Sequence, residues 1–228
     1  MNDLFKKKSF NIFLLCKNDR YTPEMENFLK NPDTAFDIPD DLLLKNGNSA
    51  TLVKTAINNK ELVIKRYNMK TIAHALRRAF KKTRAWQSWH YAHLLQKIGI
   101  HTPYPVAMKE KRFGPFRNKA YFIFEFVQGS TAFDYFHDQN IDFKNKLIVA
   151  EKIIDMLNKL KDSKLSHGDM KATNIIINDD MPYLIDLDSM NHHKTQYLFK
   201  KARKKDINRF IKNWDDLPEI EKLFKQID

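Results

Sequence analysis

The sequence of 228 residues predicts an α+β protein, in which a small antiparallel β-sheet with one long helix precedes a mostly helical part. Three observations predict this class. Short strand-like runs separated by turns occupy residues 42–67, an amphipathic run covers residues 69–98, and a second helical run covers residues 142–161.

The composition is that of a globular protein, with 43% hydrophobic and 12% aromatic residues and neither a repeat nor a low-complexity tract. The single cysteine, Cys16, excludes an intramolecular disulfide, which fits a reducing cytosol. The run 11–16 (NIFLLC) is too short for a membrane span or a signal-peptide core. We expect it to form an edge strand or an N-terminal flap in an unsecreted, soluble protein. The rest of residues 1–40 is polar and interrupted by prolines, so we treat this segment as an extension of unknown role.

The formal net charge of +12 indicates an anionic partner. No acidic residue lies between Glu61 and Glu110. A second basic run covers residues 200–205 near the C-terminus. A nucleotide, a phosphorylated substrate, an acidic protein or an anionic membrane would fit these patches, whereas nucleic acid is not the expected partner. A solvated helix face is the alternative. The basic residues of the first patch are Lys65, Arg66, Lys70, Arg77, Arg78, Lys81, Lys82, Arg84, Lys97 and Lys109.

Residues 41–127 are predicted to form the sheet-containing part. Three strands are expected at 42–44, 51–57 and 61–67, and two more at 106–109 and 120–127. The first turn contains Gly47, Asn48 and Ser49, whose backbone N–H groups could approach phosphates.

Lys65 lies in the third of these strands, on the same face as Val63, whereas Leu62 and Ile64 point to the other face. A lysine with apolar neighbours on a central strand needs an anionic partner, such as the phosphates of ATP. The alternative is an exposed lysine on an edge strand.

Residues 128–228 are predicted to form the helical part, with a short helix near 133–137, a long one at 142–161, a basic helix at about 194–213 and a terminal helix around 219–227. On the basic helix Asp206, Phe210 and Ile211 are inward candidates. The long helix ends just before the segment that carries the candidate chemistry.

That segment, 166–189 (SHGDMKATNIIINDDMPYLIDLDS), has the spacing of a phosphoryl-transfer loop followed by a metal-binding aspartate. Asp169 could orient a substrate hydroxyl and accept its proton. Asn174 could hold Mg²⁺ through its amide oxygen, and Asp186 would complete the metal site. A β-hairpin between Asn174 and Asp186 would place these two side by side. The alternative is an acidic loop without a catalytic role.

The chain resembles the bacterial lipopolysaccharide kinases, the Kdo and core-heptose kinase family, which share a two-lobed protein-kinase-like fold. The resemblance covers about residues 42–214 and implies one catalytic domain. Its carrying segments are VIKRYN (63–68), TRAWQSWHYAHLLQKIGIHTPYP (83–105), SHGDMKATNIII (166–177) and YLIDLDSM (183–190).

The resemblance implies that ATP and Mg²⁺ bind and that each candidate residue has a defined role. Lys65 would hold the α- and β-phosphates, Asp169 would be the catalytic base, and Lys171 would neutralise the γ-phosphate. Asn174 and Asp186 would ligate Mg²⁺, and their oxygens and Asp169 would meet Lys65 in one cleft. Backbone atoms of the hinge, around Glu125 to Val127, would contact adenine.

Two departures from the family pattern affect this interpretation. Glycine follows His167 where protein kinases have arginine, and the chain has no Ala-Pro-Glu segment and only 42 residues after Asp186. These absences favour a glycolipid or sugar substrate over a protein. The acid that pairs with the strand lysine is also missing, because Gln87 and Ser88 occupy the expected helical turn.

The first hypothesis is therefore an ATP- and Mg²⁺-dependent kinase that phosphorylates Kdo or heptose in the lipopolysaccharide inner core. It would be a peripheral protein at the cytoplasmic face of the inner membrane, held there by its basic patches. The alternatives are a pseudokinase that serves as a nucleotide-binding adaptor, and a soluble small-molecule phosphotransferase of the aminoglycoside type.

Overall fold

The computed structural model describes residues 3–37, 42–47, 49–68, 82–114 and 116–227. The chain divides into two compact units. The first comprises Met1–His90 and Tyr104–Phe126, and the second comprises Tyr91–Pro103 and Val127–Asp228. The boundary thus falls three times along the chain: once inside a helix, once in the loop before a strand and once in the loop after a strand.

The first unit is built on a seven-stranded sheet in which every neighbouring pair is antiparallel. In space the strands follow the order β1-β2-β6-β7-β5-β4-β3. Their bounds are β1 (Leu4–Lys8), β2 (Ile12–Lys17), β3 (Leu43–Asn46), β4 (Ala50–Ile57), β5 (Lys60–Tyr67), β6 (Pro105–Phe113) and β7 (Phe116–Glu125). The five strands predicted from the sequence are all present.

The N-terminal segment differs from the expectation of a polar, irregular extension. It contains β1, β2 and helix α1 (Pro23–Lys30), and β2 pairs with both β1 and β6, so the run predicted as an edge strand or flap is interior. The ammonium group of Lys109 on β6 donates hydrogen bonds to the carbonyls of Leu29 and Lys30, at 2.6 and 2.9 Å. These bonds satisfy carbonyls at the C-terminus of α1, which have no partner within the helix.

The core of the first unit lies under one face of β5. Leu62 and Ile64 are buried there in a cluster with Cys16, Val53 and residues of β6 and β7. Lys65 points away from this cluster, as the alternation predicts. Because β5 lies between β4 and β7, the alternative of an exposed lysine on an edge strand is wrong.

Helix α2 (Arg84–Lys97) accounts for the second half of the predicted helix 69–98, whose residues 69–81 lie outside the described part. The hydroxyl of Thr83 accepts a hydrogen bond from the Trp86 amide at 3.1 Å, so Thr83 caps the start of the helix. The same hydroxyl donates to the buried carboxylate of Glu110 on β6, which also pairs with Arg112. This network fixes the start of α2 on the sheet.

The second unit is mostly helical, with two small sheets. Its helices are α3 (Ala132–His137), α4 (Phe143–Asp162), α5 (Gln196–Ile211) and α6 (Pro218–Phe224). Strands β8 (Ser130–Thr131), β10 (Ile175–Asn178) and β11 (Met181–Leu184) form one sheet, and β9 (Leu165–Ser166) pairs with β12 (Asn191–His192). The predicted helices are confirmed to within a few residues at each end.

An aromatic cluster joins the ends of three helices in the second unit. The rings of Phe136, Phe210, Trp214 and Phe224 lie 4.8 to 5.9 Å apart. Edge-to-face packing of this kind adds about 0.5–1.5 kcal/mol per pair to the gain from burial. The cluster packs the last turn of α5 against α3 and α6. None of the helices in the described part of the chain is long and apolar enough to cross a membrane.

The close contact between Gly129 and the backbone of β10 can be tested by substitution. Its φ of +142° is a conformation that only glycine adopts readily, and a Cβ there would lie 2.1 Å from the carbonyl oxygen of Ile177 on β10. We expect Gly129→Ala to lower the free energy of unfolding by at least about 2 kcal/mol. Gly99→Ala is the matched control, because φ is +72° there and the added Cβ comes no closer than 3.8 Å to its neighbours. Urea denaturation should show a clearly smaller loss for the control, and equal losses would contradict the steric argument.

Candidate active site

The loop between β9 and β10 is held by a buried carboxylate from α5. Asp206 accepts a hydrogen bond from the His167 amide at 2.7 Å, and its two oxygens accept from the Gly168 amide at 3.0 and 3.1 Å. The side chain of His167 makes a further contact, since its Nε2 lies 2.9 Å from the carbonyl of Ile185. The backbone that precedes Asp169 is therefore fixed from two directions.

Gly168 is required at its position for two reasons. Its φ is +81°, and a Cβ would lie 2.5 Å from the carbonyl oxygen of Ser189. The histidine-glycine pair of the sequence therefore has a steric cause, in addition to leaving no arginine at this point.

Asp169 lies beside two cations. Its carboxylate pairs with the ammonium of Lys171 at 3.0 Å and with the guanidinium of Arg209 at 2.7 Å. Burial alone would raise the pKa of the Asp169 carboxyl. The hydrogen bond and charge of Lys171 and the charge of Arg209 outweigh it, so the pKa lies below its ordinary value. Asp169 is thus a carboxylate at neutral pH, and it remains partly exposed.

The predicted hairpin between Asn174 and Asp186 is confirmed by the strand register. Ile175 of β10 is opposite Leu184 of β11, and the amide of Ile185 donates to the carbonyl of Asn174 at 2.9 Å. Asp186 therefore directly follows Ile185, the residue whose amide is bonded to the carbonyl of Asn174. The side-chain amide of Asn174 donates through Nδ2 to the carbonyl of Asp169 at 2.8 Å, which directs Nδ2 to the loop.

Asp186 has a left-handed backbone, with φ 61° and ψ 50°. Such a conformation is uncommon outside glycine, and aspartate is among the residues that tolerate it best. Strained conformations of this kind are concentrated at functional sites.

Oxygen ligands are present for a hard divalent cation. The amide oxygen of Asn174 and the carboxylate of Asp186 are the donor types that Mg²⁺ takes from proteins, and Mg²⁺ usually completes its shell with phosphate oxygens and water. Among the described residues, no three His, Cys, Asp or Glu side chains gather into a metal cluster. The donors fit an ion bound together with a phosphate substrate, and they do not fit a zinc-type site.

In the first unit, Lys65 is 7% exposed and its ammonium lies 5.1 Å from the ring centre of Tyr67. The Tyr67 hydroxyl lies 2.9 Å from the hydroxyl of Ser88 on α2. Ser88, which occupies the turn where the missing acid was expected, is thus engaged with Tyr67. Gln87 lies beside it, half-buried.

The other residues predicted to bind nucleotide lie in the first unit, with Val127 just past its end. Gly47 donates to the carbonyl of Ala50 at 3.1 Å, Ser49 is exposed, and Asn48 lies outside the described residues. The Glu125 carboxylate pairs with Arg20 at 2.6 Å.

The backbone near the expected adenine contact is partly committed to other bonds. The amide of Glu125 donates to the carbonyl of Tyr104, and the amide of Phe126 donates to the carbonyl of Glu61. Neither amide can therefore donate to a base, which leaves the carbonyls of Glu125 and Phe126 and the groups of Val127 for that role.

Two residues of the site were missed by sequence reasoning. Asp206 was expected only to point inwards, and Arg209 was not singled out. Asp206 did carry a signal, because it is the only acid between Asp188 and Asp215 in an otherwise basic stretch. A buried acid in a basic helix indicates a specific partner, here the backbone of the loop. Nothing in the sequence distinguishes Arg209 from its basic neighbours.

A family model described as the lipopolysaccharide kinase (Kdo/WaaP) family matches residues 45–223, which is more than half of the chain. The chain belongs to this lipopolysaccharide kinase family. The match includes the loop, the hairpin and all of α5, and it supports a phosphotransferase.

The fold has a counterpart among solved structures. The protein WaaP, in a complex with acyl carrier protein, is similar with a TM-score of 0.64 and 14% sequence identity, over 94% of this chain and 87% of the other. At this identity the likeness concerns the fold, and it confirms the predicted α+β class with an antiparallel sheet and helices. A search of curated proteins gave no match to this sequence.

The electrostatic description of Asp169 can be tested by titration. Replacing either Lys171 or Arg209 by glutamine removes a charge that favours the carboxylate, so we expect the pKa of Asp169 to rise in both variants. The carboxyl ¹³C chemical shift of Asp169, followed against pH, reports this value directly. Lys161→Gln on α4 serves as the control and should leave it unchanged. An unchanged pKa in Arg209→Gln would contradict the ion pair.

Proposed function

We propose that the protein is an ATP- and Mg²⁺-dependent kinase that phosphorylates a sugar hydroxyl, of Kdo or heptose, in the lipopolysaccharide inner core. One observation carries the proposal. Asp169 is a partly exposed carboxylate on a fixed loop, and the strand that follows Asn174 pairs with the strand that leads to Asp186. Family membership supports the same reaction class.

Asp169 would orient the acceptor hydroxyl and accept its proton. Its low pKa keeps it ionised at neutral pH, so that its oxygens can accept the hydrogen bond of the hydroxyl. Lys171, which pairs with Asp169 at 3.0 Å, would balance negative charge on the transferred phosphoryl group.

Asn174 and Asp186 would hold Mg²⁺ through their side-chain oxygens. When bound, Mg²⁺ and ATP supply the transferable phosphoryl group and a cation that neutralises phosphate charge. The contribution of the chain is to fix these oxygens, through the Asn174 hydrogen bond and the hairpin register.

The first unit would supply the remaining nucleotide contacts. Lys65 is the candidate for the α- and β-phosphates, since a buried ammonium on a central strand favours an anionic ligand. The turn at Gly47, Asn48 and Ser49 would cover phosphates, and the backbone from Glu125 to Val127 would meet adenine.

We further propose that the acceptor is a glycolipid and that the protein works at the cytoplasmic face of the inner membrane as a peripheral protein. Gly168, at the position where protein kinases have arginine, supports a glycolipid acceptor over a protein. The net charge of +12 supports attraction to an anionic surface, where each Lys or Arg contributes about 1 kcal/mol.

A pseudokinase remains the rival hypothesis, and one observation favours it. The helical turn expected to carry the acid partner of Lys65 has Gln87 and Ser88 instead, and Ser88 bonds to Tyr67. Binding of Mg·ATP without transfer would select this rival. Transfer to free sugars or antibiotics in the absence of lipid would select a soluble small-molecule phosphotransferase.

Asp169→Asn is the decisive variant, because it keeps the shape of the side chain and removes its basicity. We expect phosphate transfer from ATP to lipid A-core to fall by about 10²–10⁴-fold. Mg·ATP affinity should stay within about twofold, since no metal ligand is changed. Mass spectrometry of the core sugar reports transfer, and calorimetry reports binding. Asp179→Asn, the same chemical change in the exposed turn of the hairpin, should behave as wild type. Undiminished transfer in Asp169→Asn would refute the proposal.

A further inference from the structure

One face of α5 forms a basic depression that the proposed chemistry leaves unused. Its lining residues follow the helical spacing i, i+3, i+4, i+7, i+8 and i+11, so they lie on a single stripe. These residues, the α5 stripe, are Lys201, Lys204, Lys205, Asn208, Arg209 and Lys212.

The stripe has no counter-charge of its own. The only acid of α5, Asp206, is buried on another side of the helix and bonded to the loop. Among the residues that the structure describes, no carboxylate forms an ion pair with Lys201, Lys204, Lys205 or Lys212. An anion entering the depression would therefore meet four lysines without a carboxylate partner in the described part of the chain, and the carboxylate beside Arg209 is that of Asp169.

Arg209 connects the stripe to the proposed base. It lines the depression and its guanidinium contacts the carboxylate of Asp169 at 2.7 Å. The backbone next to it is fixed, because the side chain of Asn213 donates to the carbonyls of Arg209 and Phe210 and lies 3.4 Å from the amide of Ala172. An anion bound beside Arg209 would thus be one side-chain length from Asp169.

We propose that the α5 stripe binds a phosphate or carboxylate group of the acceptor, at a different atom from the hydroxyl that is phosphorylated. This inference rests on the proposed kinase function. The planar guanidinium of Arg209 can bind either oxyanion through two parallel hydrogen bonds, and Lys205 and Lys212 add charge along the depression. Arg209 would exchange part of its contact with Asp169 for the acceptor anion, so that an anionic acceptor releases an oxygen of the base.

A membrane headgroup is the competing source of phosphate. Two apolar side chains, Tyr197 and Leu198, are 76% and 52% exposed in the first turn of α5, and membrane-binding helices combine such residues with lysines. The depression, however, contains no apolar side chain and extends to Arg209 at the other end of the helix. We therefore assign the stripe to the acceptor.

The test compares two double variants with the same loss of charge. Lys205→Gln/Lys212→Gln changes the stripe, and Lys144→Gln/Lys161→Gln changes exposed lysines of α4. Binding of lipid-free, phosphorylated inner-core oligosaccharide is measured by calorimetry without nucleotide, so that it does not depend on catalysis. We expect at least about fivefold weaker binding for the stripe variant, and less than about twofold for the control. The KM for the acceptor should rise in parallel, whereas the KM for ATP stays constant.

Further arms separate the possible outcomes. If dephosphorylated oligosaccharide loses affinity, the anion is a phosphate, and if it still binds with the same dependence on the stripe, the anion is a carboxylate. Equal binding by both double variants would overturn the proposal. The proposal would also be overturned if the stripe variant lost only its binding to phosphatidylglycerol vesicles and the separate variant Tyr197→Ser/Leu198→Ser lost the same binding.

A last arm distinguishes failure of this inference from failure of the proposed function. Inorganic phosphate is titrated into the wild-type protein while the side-chain ¹⁵N signal of Arg209 is followed. If phosphate shifts this signal but core oligosaccharide does not bind, the stripe is an anion site and its assignment to the acceptor is refuted. If the stripe variant transfers phosphate to lipid A-core with an unchanged KM for the acceptor, the kinase function stands and the acceptor site on the stripe is refuted.

Discussion

The buried carboxylate of Asp206 accepts the backbone N–H groups of His167 and Gly168, and the geometry of the candidate active site depends on this interaction. A loop backbone has no regular partners for its amides, and leaving a buried amide unpaired costs about 1–3 kcal/mol. Asp206 is 6% exposed, so water cannot substitute for it effectively. The carboxylate therefore restricts the loop to conformations that keep both amides directed at α5.

Helix α5 thereby serves the core, the loop and the stripe at once. One side packs Phe199, Ile207 and Phe210 into the core, and Asp206 reaches the loop from the same region. Arg209 contacts Asp169 from the flank. The outer side presents the lysines of the stripe to solvent. Because a helix is rigid over its length, an anion held by the stripe, the proposed base and the loop backbone keep fixed mutual positions.

Much of this arrangement could be predicted from local sequence patterns. The hairpin from Asn174 to Asp186 followed from two short apolar runs around an Asn-Asp-Asp turn, and the helices followed from apolar spacing. The burial of Lys65 followed from alternation along β5, together with strands on both sides of it. These features depend on residues that are neighbours in the chain.

The features that could not be predicted depend on contacts between distant residues. Residues 3–37 lack strong periodicity, yet β2 gains its place by pairing with β6 and α1 by the bonds of Lys109. Asp33 contacts Arg66 and Lys111, and none of these partners is indicated by spacing. The Arg209–Asp169 pair likewise joins residues forty positions apart.

Amide hydrogen exchange in Asp206→Asn tests the central claim most directly. Asparagine has nearly the same shape but is neutral and offers one acceptor oxygen instead of two, so the charge-assisted hydrogen bonds from the amides of His167 and Gly168 must weaken. We predict that at least one of these amides exchanges much faster than in the wild type, while the amide of Leu184, bonded to the carbonyl of His101, keeps its protection. Unchanged protection at both His167 and Gly168 would show that α5 does not hold the loop.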